Sequence, residues 1–127
     1  MKTKFKNILI GITFLFSAFI FAEQTSKKVY VVPIQDVIDL GIPGLVTRAI
    51  NLAETDNASL IIFDIDTFGG RVDAATQIKD AILSSDITTV AFINRRAISA
   101  GALISLSCEK IYMTGGGIIG AATAVDM

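Results

Sequence analysis

A serine between small residues, Ile98-Ser99-Ala100-Gly101, stands where an extended apolar run gives way to a helical pattern. A serine attacks a carbonyl only when a base takes its proton and N–H donors receive the developing oxyanion. Ala97, Ala100 and Gly101 leave room for a carbonyl to approach, and the helix starting there offers free N–H groups and a partial positive charge. Ser99 also fits an ordinary helix N-cap, and spacing by itself favours the cap. Gly69-Gly70 ends the preceding extended run, where glycines permit a turn whose N–H groups point into a cleft; a plain tight turn explains them equally well. A dinucleotide loop is the weaker reading, because "DTFGGRVDAA" lacks the first glycine of G-x-G-x-x-G.

The base is the difficulty. The chain has no histidine, which excludes a Ser-His-Asp triad within it and leaves a lysine of lowered pKa as the partner an active serine would need. Lys27 and Lys28 read as solvated linker charge. Lys110 follows Ser99 by eleven residues, about 16 Å along a helix at ~1.5 Å per residue, and Lys79 is similarly remote from the glycine pair. Cys108 is the only cysteine, so no internal disulfide forms, and no zinc ligand set exists; it reads as a packed helix-end residue. Asp64 and Asp66 share one face of a strand and read as turn-capping acids before metal ligands, and no calcium-loop spacing accompanies them. Arg95 and Arg96 read as solvated or salt-bridged before substrate-binding, and Phe68 as either a groove wall or a plug for the turn.

Two kinds of segment alternate to position these residues. β-Branched runs at Val29 to Ile34, Ser59 to Asp66, Thr88 to Asn94 and Lys110 to Thr114 predict strands. Between them, Gly44 to Glu54 predicts a helix with Leu45, Ala49, Ile50, Leu52 and Ala53 on one side, Val72 to Ser85 a second with Ala75, Ile78, Ile82 and Leu83 inward, and Ser99 to Cys108 a third. Strict alternation implies an α/β fold of parallel strands joined by helical crossovers, with active groups at the carboxyl ends of the strands. Gly69-Gly70 and Ser99 both fall there.

At 127 residues the chain allows one modest domain. Its first part stands outside that domain: Lys2, Lys4 and Lys6 precede an unbroken apolar and small run from Ile8 to Ala22, and polar "EQTSKK" follows. This is the pattern of a secretory signal, 1–22, and the run is short of the roughly 20 residues of a membrane span. An uncleaved anchor is the alternative; either version puts the rest, a 23–28 linker and the 29–127 domain, outside the cytoplasm. Setting those three lysines aside leaves 8 basic against 12 acidic side chains, a net charge of −4 that implies no nucleic-acid face.

"IDTFGGRVDAATQIKDAI", "NRRAISAGALISLSCEKIYM" and "GGGIIGAATAV", taken in order, resemble the ClpP-like serine protease domain of membrane-bound NfeD-family proteins, over roughly Val29 to Val125. The resemblance favours nucleophile over cap at Ser99. It implies Gly70 and the backbone of Ala100 as oxyanion donors, with Gly69 completing the turn and Gly120 in a loop near the substrate groove. The implied fold is the ClpP/crotonase superhelix of strand-strand-helix units, incomplete here at the C-terminus. Phe68 departs from the family's usual "TPGG" proline but leaves both glycines in place. The family's Ser-Lys dyad takes its lysine from a helix beyond Met127, so no lysine of this chain fills that role, and these residues alone are expected to be poorly stable and inactive.

The function implied is a membrane-associated serine endopeptidase, without cofactor or metal, that cuts a peptide or membrane-protein substrate through an acyl-enzyme. The resemblance also implies a stomatin-like membrane partner, a homo-oligomer, and further membrane helices and a small β-barrel in the complete protein. The alternative is a catalytically silent, crotonase-like scaffold that assembles with a membrane partner. A crotonase-like acyl-thioester enzyme would share fold and oxyanion hole, but export disfavours a coenzyme A substrate.

Overall fold

The computed structural model describes residues 27–123; the expected export signal lies outside the described residues. β1 (Val29–Ile38) buries Val32, Ile34 and Ile38, the alternation of a strand with one face on a core. Asp39 then accepts the Gly41 N–H at 2.8 Å, and Pro43, which has no N–H to lose in a first turn, helps start α1 (Ile42–Thr55). α1 ends on Asn57, whose φ of 51° lets the Ala58 N–H reach the Ala53 carbonyl at 2.9 Å and its own N–H reach the Glu54 carbonyl at 3.0 Å. That paired closure turns the chain into β2 (Leu60–Gly70), followed by α2 (Val72–Leu83), β3 (Thr89–Ile98), α3 (Ala100–Leu106), β4 (Lys110–Met113) and β5 (Ile118–Gly120).

All strand pairs are parallel, in the order β1-β2-β3-β4. β3 is long enough to serve two neighbours: its first half pairs with β4 from Val90↔Lys110, and its second half pairs with β5 from Arg96↔Ile118 to Ile98↔Gly120. The three helices pack in sequence against one another and on one sheet face, as right-handed crossovers between successive neighbouring strands require. Phe63, Ile61, Ile65 and Ile93 from the sheet meet Val46, Ile50, Ala75, Ile78 and Ile104 from the helices in that core. Fully burying each large apolar side chain contributes about 1.5–3 kcal/mol.

Several expectations need correction. β2 runs on through Gly70 and β3 through Ile98, so the glycine pair closes a strand instead of following one. In α1 the buried stripe is Pro43, Val46, Ile50 and Ala53, while Leu45 and Leu52 are exposed. In α2, Ala74 is buried with Ala75, Ile78 and Ile82, and Leu83 is exposed. The helices hold more apolar residues than one stripe can cover, and the stripe follows the packed neighbours. The "GGGIIGAA" segment, read as a loop, contains β5.

Candidate active site

Ser99 is the residue through which β3 turns into α3. Its backbone, at φ 52° and ψ −112°, lies in a region that non-glycine residues rarely occupy, a conformation costing about 1–3 kcal/mol. Neighbouring bonds hold it there: the Ser99 N–H donates to the Gly120 carbonyl at 2.9 Å, and the Ser99 carbonyl accepts from Ala102 at 3.0 Å and Leu103 at 3.2 Å. The residue occupies the cap position, yet its hydroxyl makes no capping hydrogen bond, and the side chain is exposed.

Gly69 sits directly against it. A Cβ there would stand 2.9 Å from Ser99 Cβ, 3.0 Å from the Ile98 carbonyl and 3.3 Å from the Ala100 nitrogen, and its φ of 110° disfavours a side chain in any case. Gly70 turns the other way: a Cβ on it would lie 2.2 Å from the Ile38 carbonyl oxygen of β1. The fold therefore brings Ser99, Ala100 and Gly69 into one contact, with Gly70 next along the strand and Gly120 joined by the Ser99 N–H.

Beside Ser99 opens a cavity of about 490 Å³, lined by Val72, Ala75, Ala100, Leu103, Leu106 and the 121–123 backbone segment. Its walls are mostly apolar. A depression of about 480 Å³ along α1, by Thr47, Arg48 and Asn51, is similar in size but lies away from Ser99 and the glycine pair.

The arginines read as solvated or salt-bridged both lie against Asp66. Arg96 Nε donates to Asp66 Oδ1 at 2.9 Å, and its guanidinium stacks 4.1 Å above the Phe68 ring; Arg95 lies 3.9 Å from the same carboxylate. Phe68 is thus an exposed aromatic roofed by Arg96. Asp64 faces the side of the sheet away from the helices, 3.5 Å from the Gln35 amide. Cys108 is buried at the end of α3, where desolvation pushes its thiol up to about 12 against a weaker lowering effect of Thr89, so it is no nucleophile at neutral pH.

No described lysine lies beside Ser99. Lys28 bonds Asp56 at 3.0 Å, Lys79 pairs with Asp80, and Lys110 opens β4 opposite Val90, nine residues back along β3, about 30 Å at ~3.3 Å per residue. Thr67, which proves central to the local packing, was not singled out by sequence, and Gly101, read as room for a substrate carbonyl, makes room for the Thr67 methyl. The available signal was the small residue two places after the serine, which marks a close approach.

A parallel sheet with helices on one face, ending in a glycine pair beside a strained serine, is the arrangement of a ClpP-like α/β domain. ClpP1 from Listeria monocytogenes, in a point-variant structure, aligns over 62% of this chain and 46% of its own at 28% identity, with a TM-score of 0.60. The family model for the NfeD1b N-terminal domain matches residues 28–127, and the chain belongs to that family.

Membrane protein NfeD1b of Bacillus subtilis is 39% identical over 125 residues, 96% of this chain and 28% of the relative. The 1510-N membrane-bound stomatin-specific protease of Pyrococcus horikoshii, solved as a lysine-to-alanine variant with a substrate peptide, is 36% identical; it covers 80% of this chain and 48% of its own, with a TM-score of 0.74. The chain thus spans about a quarter of NfeD1b and about half of the solved protease domain. Its relatives are membrane proteins and proteases. Among the described residues no helix is long and apolar enough to cross a membrane.

Proposed function

We propose that this domain is the nucleophile-bearing part of an exported, membrane-associated serine endopeptidase of the Ser-Lys type. The observation that carries the reading is Ser99 itself: an exposed hydroxyl, not used for capping, on a strained backbone wedged against Gly69 and facing an apolar cavity. Its Oγ attacks the scissile carbonyl as the proton passes to a lysine amine, and the N–H groups of Gly70 and Ala100 receive the oxyanion. The C–N bond breaks as the leaving amine takes that proton, and water then hydrolyses the acyl-enzyme, restoring Ser99. By the family resemblance the lysine comes from a helix beyond Met127, so residues 29–127 carry the nucleophile without its base and are inactive alone.

The substrate is an extended peptide laid beside a strand edge, with an apolar side chain in the cavity by Leu103 and Leu106. The named specificity of the 1510-N protease supports a stomatin-like membrane protein as substrate or partner. Export through the 1–22 segment puts the domain on the outer face of the membrane, and the working enzyme is a homo-oligomer.

In the full-length protein, Ser99→Ala abolishes cleavage of a stomatin-derived peptide, at least a 10³-fold loss, while leaving assembly and Tm within error. Cleavage that survives the substitution refutes the nucleophile assignment.

One second reading, a silent scaffold that assembles with a membrane partner, draws on the lining of the cavity beside Ser99, which contains no lysine among the described residues. That reading requires full-length wild type to assemble and to cleave nothing.

A further inference from the structure

Thr67 is one of three buried polar residues among those described, at 1% exposure, and the peptidase reading gives it no role. Its Oγ1 accepts the Gly69 N–H at 2.9 Å and donates its one proton to the Asp36 carbonyl, the nearer of two acceptors; the Gly69 carbonyl is 3.4 Å away. Asp36 is the left-handed residue, φ 61°, at the register break between Gln35 and Val37 in β1. The methyl of Thr67 faces the opposite way. A Cβ on Gly101 would lie 2.5 Å from Thr67 Cγ2, so the first turn of α3 seats directly on that methyl.

One side chain therefore touches three backbone segments: the β1 bulge, the glycine pair of β2, and the helix start behind Ser99. Gly69 in turn lies against Ser99 Cβ. We propose that Thr67 is a positioning residue for the peptidase reaction, fixing the Gly69-Gly70 donor segment relative to the Ser99 nucleophile; the assignment rests on the peptidase reading above. Thr67 touches no reacting atom in that scheme. It acts through Gly69 and Gly101, and removing its hydroxyl leaves a buried N–H at Gly69 and a part-buried carbonyl at Asp36 without their partner. The glycine segment then relaxes, and a displacement of about 1 Å between donor and nucleophile costs up to ~10²-fold in rate.

Full-length wild type, Thr67→Val and Thr67→Ser are titrated to completion with a fluorophosphonate, and kcat per labelled serine is read on an internally quenched peptide with apolar residues around the scissile bond. Valine keeps the shape and removes the hydroxyl; serine keeps the hydroxyl and removes the methyl. Thr67→Val is expected to lower kcat per labelled serine by about 10- to 100-fold, with KM within about threefold and the pH profile unmoved. Thr67→Ser keeps kcat within about threefold even where its Tm falls.

A Thr67→Val enzyme with fewer labelled serines but wild-type kcat per label shows a structural role only and overturns the assignment. Should the valine variant fail to fold, the serine variant decides, and a tenfold fall in its kcat per label overturns the assignment equally. A wild type that neither labels nor cleaves removes the peptidase reading and Thr67's role with it, an outcome distinct from both others.

Discussion

A thiol reacts through its thiolate, and burial at the end of α3 keeps Cys108 protonated up to about 12. The unfolded thiol loses its proton near pH 8.5–9, so between there and about pH 12 the unfolded state binds fewer protons than the native one. A raised folded pKa gives stability that is complete below the unfolded pKa and lost as pH rises. We expect this group to remove about 1.4 kcal/mol per pH unit across that window. Denaturant midpoints at pH 9 and pH 10.5 should diverge in wild type and much less in Cys108→Ala; equal slopes would show that Cys108 is not the source. The residue type and its helix-end place were legible in sequence, because a lone cysteine in an apolar helix has few other uses. Ser99 was half legible: the small neighbours marked a nucleophile or a cap, but the choice turns on a backbone dihedral and a hydroxyl left free, neither of which spacing encodes. Thr67 was hidden for a related reason, since Asp36, one of its two hydrogen-bond partners, lies 31 residues earlier.

At the scale of elements, strand-helix alternation predicted the three helical crossovers but not β5, because short β-branched runs and longer helical periodic segments differ plainly along this chain. Rotation of each helix was less legible. α2 presents Ile78, Ile82 and Leu83 as similar apolar candidates, yet Ile78 and Ile82 are buried and Leu83 is 63% exposed. One turn of helix separates Ile78 from Ile82, so both meet the core, whereas Leu83 stands about 100° further round. The energetic consequence is large. Ile78→Ala should cost about 2–5 kcal/mol, since the cavity it leaves is lined by packed side chains, while Leu83→Ala should stay within about 0.5 kcal/mol. Urea unfolding of both variants measures the contrast, and comparable losses would mean that α2 is rotated from the orientation described. The early strand endings have a different origin. Gly69 and Gly70 signal a turn in sequence, but the approach of Ile38 and Ser99 within a side chain's reach uses them to let three chains crowd together while pairing continues.

At the scale of the molecule, the decisive asymmetry among the described residues is that the three helices pack on one side of the sheet. The other face carries Val31, Leu60, Ile62, Phe92, Tyr112 and Met113 around a shallow apolar hollow of about 680 Å³, with Asp64 at its border. Val31 is 63% and Tyr112 57% exposed, so among the described residues this face meets solvent. Strand alternation explains why it is apolar: β2 and β3 carry apolar residues on both faces, the pattern of strands meant to be covered twice. A contiguous apolar patch of this kind is seldom left bare on a soluble monomer. Residues 27–127 expressed alone should therefore enhance and blue-shift ANS fluorescence at neutral pH while keeping native far-UV circular dichroism. Ile62→Thr with Phe92→Thr, which retains strand preference while cutting apolar area, should remove most of that enhancement. Weak ANS binding by the parent, together with a sedimentation mass above that of one chain, would mean that copies cover the face for one another. A parent that binds ANS strongly, and loses the binding when both threonines are present, identifies the sheet face as the exposed surface and accounts for the poor stability expected of these residues on their own.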